Sequence, residues 1–115
     1  LKKRDKDSDD LIIGWTVYLV RCADGSYYGN LCKNMNRELA NIKLQKGIYF
    51  SRHPERLPVE IVFKEERLPF KEAYAKSKYL KEMNKKMRER MLRKKMWPIG
   101  GSWKKYLLSQ EVTDN

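Results

Sequence analysis

The sequence predicts a small α+β protein, a three-stranded antiparallel sheet flanked by helices, with a C-terminal basic helix and an aromatic tail. Three observations carry this. Two runs rich in aromatic and β-branched residues stand on either side of Asp24-Gly25, a third such run opens at Pro58, and apolar stripes at helical spacing follow the second and third runs. At 115 residues the chain has room for one domain with a small core.

The elements follow in order. Residues 1–10, LKKRDKDSDD, mix both charges with almost nothing apolar and are expected to form a disordered tail. WTVYLVRC, the turn ADGS and YYGNLC then predict a hairpin. Asn34 is placed to cap a helix running to about Lys46, with Met35, Leu39 and Ile42 on one face and Gly47 as its stop. Residues 48–57 show no period and carry Arg52, His53, Pro54, Glu55 and Arg56, which predicts a polar surface loop. In PVEIVFKEE, Val59, Ile61 and Phe63 alternate with Glu60, Val62 and Lys64, the pattern of a third strand. Pro69 suits the first turn of a second helix, whose stripe is Phe70, Ala73, Tyr74, Ser77, Leu80 and Met83. From Lys76 to Lys95, ten Lys or Arg face two Glu while Leu80, Met83, Met87 and Met91 continue an apolar seam, giving a basic amphipathic helix with one break. Trp97-Pro98 and Gly100-Gly101 end it, and Ser102 is placed to cap a last short helix presenting Trp103, Tyr106 and Leu107. The expected organisation is a tail over 1–10, a domain over 11–96 and an extension over 97–115.

Charge narrows the partners. Lys plus Arg exceed Asp plus Glu by 26 to 15, a net +11, so the chain suits an anionic partner, most commonly nucleic acid. No apolar run approaches the ~20 residues of a membrane span, so no membrane partner is expected. Two cysteines and one histidine supply no zinc set. In a hairpin about Asp24-Gly25, Cys22 falls near Tyr27 and away from Cys32, so free thiols are expected. The expected location is intracellular, in cytoplasm and nucleoid or in an organelle such as the mitochondrion.

The order strand, turn, strand, helix, strand, helix, headed by WTVYLVRCADGSYYG, resembles the small stand-alone bacterial members of the GIY-YIG nuclease family. The likeness runs from about Trp15 to Lys46 and again from Pro58 to Met83, strongest over VYLVRCADGSYY. It implies that Tyr18 helps activate water, that Tyr28 supports the site and that Arg37 stabilises charge on a scissile phosphate. A glutamate on the later helix would hold Mg²⁺ or Mn²⁺ in an active member. Gly47-Ile48-Tyr49 spells part of the signature but follows the hairpin, so its counterpart is Thr16-Val17-Tyr18.

The chain departs from the pattern at three positions. Asn30 stands where the family has glycine, adding a side chain where substrate backbone approaches, and Ile42 stands where relatives often place histidine. Ser77 stands at the metal-binding glutamate, and a lone hydroxyl is a poor ligand for a hard dication. Glu72 and Glu82 lie five residues away, about 140° around the helix, leaving Glu66 as a remote substitute. If the pocket survives, Ser77→Glu is expected to restore a metal site.

The favoured reading is a nucleic-acid-binding protein on a degenerate, catalytically inactive GIY-YIG-like domain with no cofactor, for example a component of a ribonucleoprotein such as an organellar ribosome. Its phosphate-contacting residues would be Arg37, Arg52, Lys78, Lys81, Lys85, Lys86, Arg88, Arg90, Arg93 and Lys94. One alternative is a diverged metal-dependent, structure-specific endonuclease using Tyr18, Tyr28 and Arg37. Another is a module that docks on an acidic protein through Trp97, Trp103 and Tyr106.

Overall fold

The computed structural model describes residues 14–45, 47–97 and 103–107. The expected charged tail, the Pro98 and Gly100-Gly101 stop and the Ser102 cap lie outside the described residues. The element order is β1 (Trp15–Cys22), β2 (Tyr27–Cys32), α1 (Met35–Lys43), α2 (Ile48–Ser51), a 3₁₀ turn (Pro54–Arg56), β3 (Val59–Leu68), α3 (Phe70–Glu82) and α4 (Lys85–Lys94). A last helical turn spans 104–107. The three strands form one antiparallel sheet in the order β2-β1-β3, so the predicted architecture is the observed one.

The hairpin closes where its turn chemistry requires. Gly25 takes φ +91°, open to glycine and strained for other residues, and Cys22 N–H donates to Ser26 O at 2.8 Å. Asp24 Oδ1 accepts from Ser26 N and Oγ at 3.0 and 2.6 Å, which holds the Asp24 carboxyl below the usual carboxylate range. The register pairs Arg21 with Tyr27 and Thr16 with Cys32, and both cysteines are buried free thiols.

Because β1 alternates, it feeds two cores. Val17 and Leu19 pack under α3 and α4 with Leu68, Ala73, Tyr79, Leu80, Met83 and Met91. Tyr18, Val20 and Cys22 pack on the other face with Cys32, Ile42 and Phe50. Four local predictions give way here. The β3 alternation breaks at a bulge, where Leu19 pairs with Phe63 but Val20 with Ile61, so Phe63 joins the α3 face while Val59 and Ile61 stay with Tyr18. The polar loop over 48–57 contains α2 and the 3₁₀ turn, because Phe50 at 2% exposure is a core side chain whose burial contributes about 1.5–3 kcal/mol. Helix α1 ends at Lys43, its Leu44 N–H bonding Ala40 O, ahead of the expected Lys46. Phe70 is exposed at the start of α3, whereas Ala75, Lys76 and Tyr79 are buried along it.

The break in the basic helix falls at Met83 and Asn84. Met83 leaves helical geometry with ψ 138°, and Asn84 caps α4 by accepting from Met87 N–H at 2.8 Å. The aromatic extension folds back on the domain: Trp97 packs on Phe63 and Tyr79, and Trp103 and Tyr106 join the core under α3 and α4.

Candidate functional site

On the Tyr18 face the structure brings Tyr18 and Tyr28 together, with ring centroids 6.3 Å apart. Tyr18 is fully buried, and its phenol donates to Glu38 of α1. Burial, reinforced by that carboxylate, pushes the Tyr18 pKa far up, so the phenol stays a proton donor at any physiological pH. Tyr28, half-buried, accepts from Asn30 Nδ2 at 2.9 Å, and burial raises its pKa as well. Asn30 Oδ1 in turn accepts from Leu31 N–H at 2.9 Å, so the Asn30 side chain is occupied within the strand and holds the Tyr28 hydroxyl.

Two residues of this cluster escaped the sequence reading. Glu38 sits three residues after Met35 and four before Ile42, on the helix's apolar stripe, and a carboxylate there was the available signal. Tyr49, passed over in the misplaced signature letters, lies 4.8 Å from Tyr28 and donates its hydroxyl to Tyr27 O at 3.0 Å. Its other neighbour is Arg56, whose guanidinium lies 3.8 Å from the ring centroid. Cys32, beside Glu38, has its thiol pushed up to about 12, mainly by burial, and is unreactive.

Ser77 is on the opposite side of the sheet. It is one turn from both Ala73 and Leu80, which pack under α3 with Leu19; it is 1% exposed, and its hydroxyl donates to Tyr74 O at 2.8 Å. A divalent ion does not fit the residues present. Ser77 is sealed and internally bonded, Glu38 accepts from Tyr18, and Glu66 pairs with Lys64 at 3.2 Å. Glu72 bonds Lys76 at 2.9 Å and Glu82 accepts from Tyr106. Among the described residues no three His, Cys, Asp or Glu converge as a metal set. Against the expected restoration of a site by Ser77→Glu, the new carboxylate would enter the core under α3.

The basic residues divide by position. Arg37 and Arg52 are exposed on the first half of the chain; Lys81, Lys85, Lys86, Arg90, Arg93 and Lys94 are exposed along α3 and α4; Lys78 and Arg88 are partly covered. Lys78 Nζ lies 5.4 Å from the Tyr74 ring and Arg88 4.7 Å from the Tyr27 ring. Lys76 leaves the expected basic face altogether. It is 4% exposed, and its Nζ bonds Glu65 and Glu72 at 2.8 and 2.9 Å, with Trp97 and Trp103 rings 5.2 and 4.7 Å away.

Two clefts flank this framework. One, about 450 Å³, lies on the Tyr18 side between α1 and β3 and is lined by Thr16, Lys33, Asn34, Lys64, Glu66 and Arg67 among others. The second, about 260 Å³, lies along β2 and is lined by Leu19, Tyr27, Tyr28, Gly29, Tyr49, Leu80, Lys81 and Arg88. At its floor Gly29 lets α3 pack close on β2, since a Cβ there would meet Leu80 Cβ at 3.2 Å. Among the described residues no helix is long and apolar enough to cross a membrane.

No protein-family model and no solved structure matches the chain. Curated bacterial proteins do. A UPF0213 protein of Bacillus cereus is 30% identical over 77 residues, covering 67% of this chain and 78% of that protein. A UPF0213 protein of Limosilactobacillus reuteri is 25% identical over 76 residues, covering 66% and 79%. Because the Bacillus cereus match runs through more than three quarters of that relative, the chain belongs to the UPF0213 family.

Proposed function

We propose that the protein is a nucleic-acid-binding module on a GIY-YIG-type domain that has lost cleavage and kept its hold on phosphate. The observation that carries this reading is α4. Six of its ten residues are Lys or Arg, only Glu89 is acidic, and Met91 is buried while Lys85, Lys86, Arg90, Arg93 and Lys94 are exposed. A helix anchored by an apolar seam and presenting one sign of charge is suited to backbone contact without base reading. What supports loss of cleavage is the tyrosine chemistry, since burial and the Glu38 carboxylate both hold Tyr18 in its neutral form, together with a Ser77 that supplies no carboxylate. A stable ribonucleoprotein and a transiently held nucleic acid both suit such a grip.

A second reading, a diverged metal-dependent endonuclease, is favoured by one observation, the convergence of Tyr18, Tyr28 and Glu38 on one face. The separating experiment incubates branched and flapped DNA and structured RNA with the protein and Mg²⁺ or Mn²⁺, scoring binding and cleavage together. Tyr18→Phe and Arg37→Ala serve as controls. Binding without cleavage is expected. Cleavage that disappears in both variants would establish the nuclease, and absence of both activities would reject both readings.

A further inference from the structure

We propose that the cleft along the outer side of β2 receives an unpaired nucleotide, so that the protein prefers single-stranded nucleic acid over duplex. This rests on the nucleic-acid reading above and specifies its ligand. Strand β2 is an edge of the sheet, the chain breaks between α3 and α4 at Met83 and Asn84, and Leu80 and Lys81 of α3 and Arg88 of α4 line one cleft with Tyr27, Tyr28 and Gly29 of β2. The resulting cleft combines three tyrosines, an aliphatic floor at Leu80 and two cations, Lys81 and Arg88, contributed by the two helices.

That composition matches the parts of a nucleotide. The phenol rings and Leu80 offer apolar and π surface to a base, while Lys81 and Arg88 offer charge to its phosphate. The aromatic wall is held before any ligand arrives. Tyr49 donates to Tyr27 O at 3.0 Å, stacks obliquely on Tyr28 at 4.8 Å and is backed by Arg56 at 3.8 Å. Arg88, 4.7 Å from the Tyr27 ring and donating to Met83 O at 3.3 Å, uses few of its five N–H groups there. At about 260 Å³ the cleft has the scale of one nucleotide and not of a duplex. A paired base keeps its faces in the stack and its edge in the pair, so only an unpaired one can enter. The cations also suit the chain's net charge of +11.

The test measures anisotropy of a fluorescein-labelled oligothymidylate of about twelve nucleotides, and of a hairpin duplex carrying the same number of phosphates, with the full chain across a salt series. The single strand is expected to bind about tenfold tighter or more, the scale of one base stacked on an aromatic ring. Tyr27→Leu is expected to abolish that preference and leave duplex affinity unchanged. Ring-proton shifts of Tyr27 and Tyr49 in the unsubstituted protein, saturating with the single strand and absent with the duplex, give a readout independent of whether the variant folds. Equal affinity for the two ligands, or a preference that survives Tyr27→Leu without ring shifts, would overturn the cleft while salt-dependent binding left the broader reading standing. No binding of either ligand at low salt would overturn both.

Discussion

Among the described residues two buried polar centres, one on each face of the sheet, solve the same problem differently. On one face Tyr18 and Glu38 form a pair of one phenol and one carboxylate, enclosed by Val20, Cys32, Ile42 and Phe50. On the other, the Lys76 ammonium is met by Glu65 and Glu72, and Trp97 Nε1 donates to Glu65 at 2.8 Å. The first ties β1 to α1 beside the converging ring of Tyr28, while the second fastens the aromatic extension to β3 and α3. In both, every charge has a partner. The comparison teaches that both centres are paired internally, whereas the Tyr79 hydroxyl nearby is buried without a hydrogen-bond partner and the cations of α3 and α4 other than Lys76 and the partly covered Lys78 and Arg88 face solvent.

Breaking the second face should have the larger consequences. Ser77→Glu places an unpaired carboxylate at a site 1% exposed, and an isolated buried charge costs several kcal/mol even after relaxation. The expected outcome is failure to fold at neutral pH, read by circular dichroism, while Ser77→Ala stays within about 1 kcal/mol of the original. Lys76→Met leaves two carboxylates facing each other. Because Glu65 and Glu72 keep about a third of their side-chain exposure, the expected loss is near the lower end of the buried-pair range, about 3 kcal/mol, measured by urea unfolding. Trp97 fluorescence should move first, since its indole N–H shares Glu65 with Lys76.

Breaking the first face should cost less. Tyr18→Phe removes one hydrogen bond and leaves Glu38 without its donor, an expected loss of about 1–2 kcal/mol. The same pair sets a pH response. The folded pKa of Tyr18 lies above its unfolded value of 10.0, so the stabilisation is fully present below about pH 10 and is lost as the unfolded chain deprotonates above it. Urea midpoints flat to pH 10 and falling beyond it in the original protein, with a shallower fall in Tyr18→Phe, would support this; identical falls would contradict it.

How much of this was legible in the sequence depended on distance along the chain. The hairpin, the Asn34 helix start and the presence of one break in the basic helix are local signals, written in turn residues, caps and stripes, whereas the place of that break at Asn84 came from the structure. The bulge at Val62 was not legible, because a run of alternating apolar residues does not reveal where its partner strand skips one position. Nor was the burial of Lys76, which requires Glu65 from β3 and the rings of Trp97 and Trp103. Tyr18 and Tyr28 were legible as a pair from their places about the turn, whereas the partner of Tyr18 came from a helix 20 residues on. Charge was read correctly in total and misassigned at Lys76.

Under the proposed reading the exposed cations of α4 grip phosphate. The most direct measurement is affinity for a labelled oligonucleotide from about 50 to 200 mM salt, comparing the original protein with one in which Lys85, Lys86, Arg90 and Lys94 are all Gln. All four are exposed, and none takes part in the hydrogen bonds of the buried pairs. The expected result is a steep loss of affinity with salt in the original, and a weaker, flatter dependence in the variant, the slope falling by about one for each phosphate contact removed. Equal affinities and equal slopes would show that α4 does not hold the backbone.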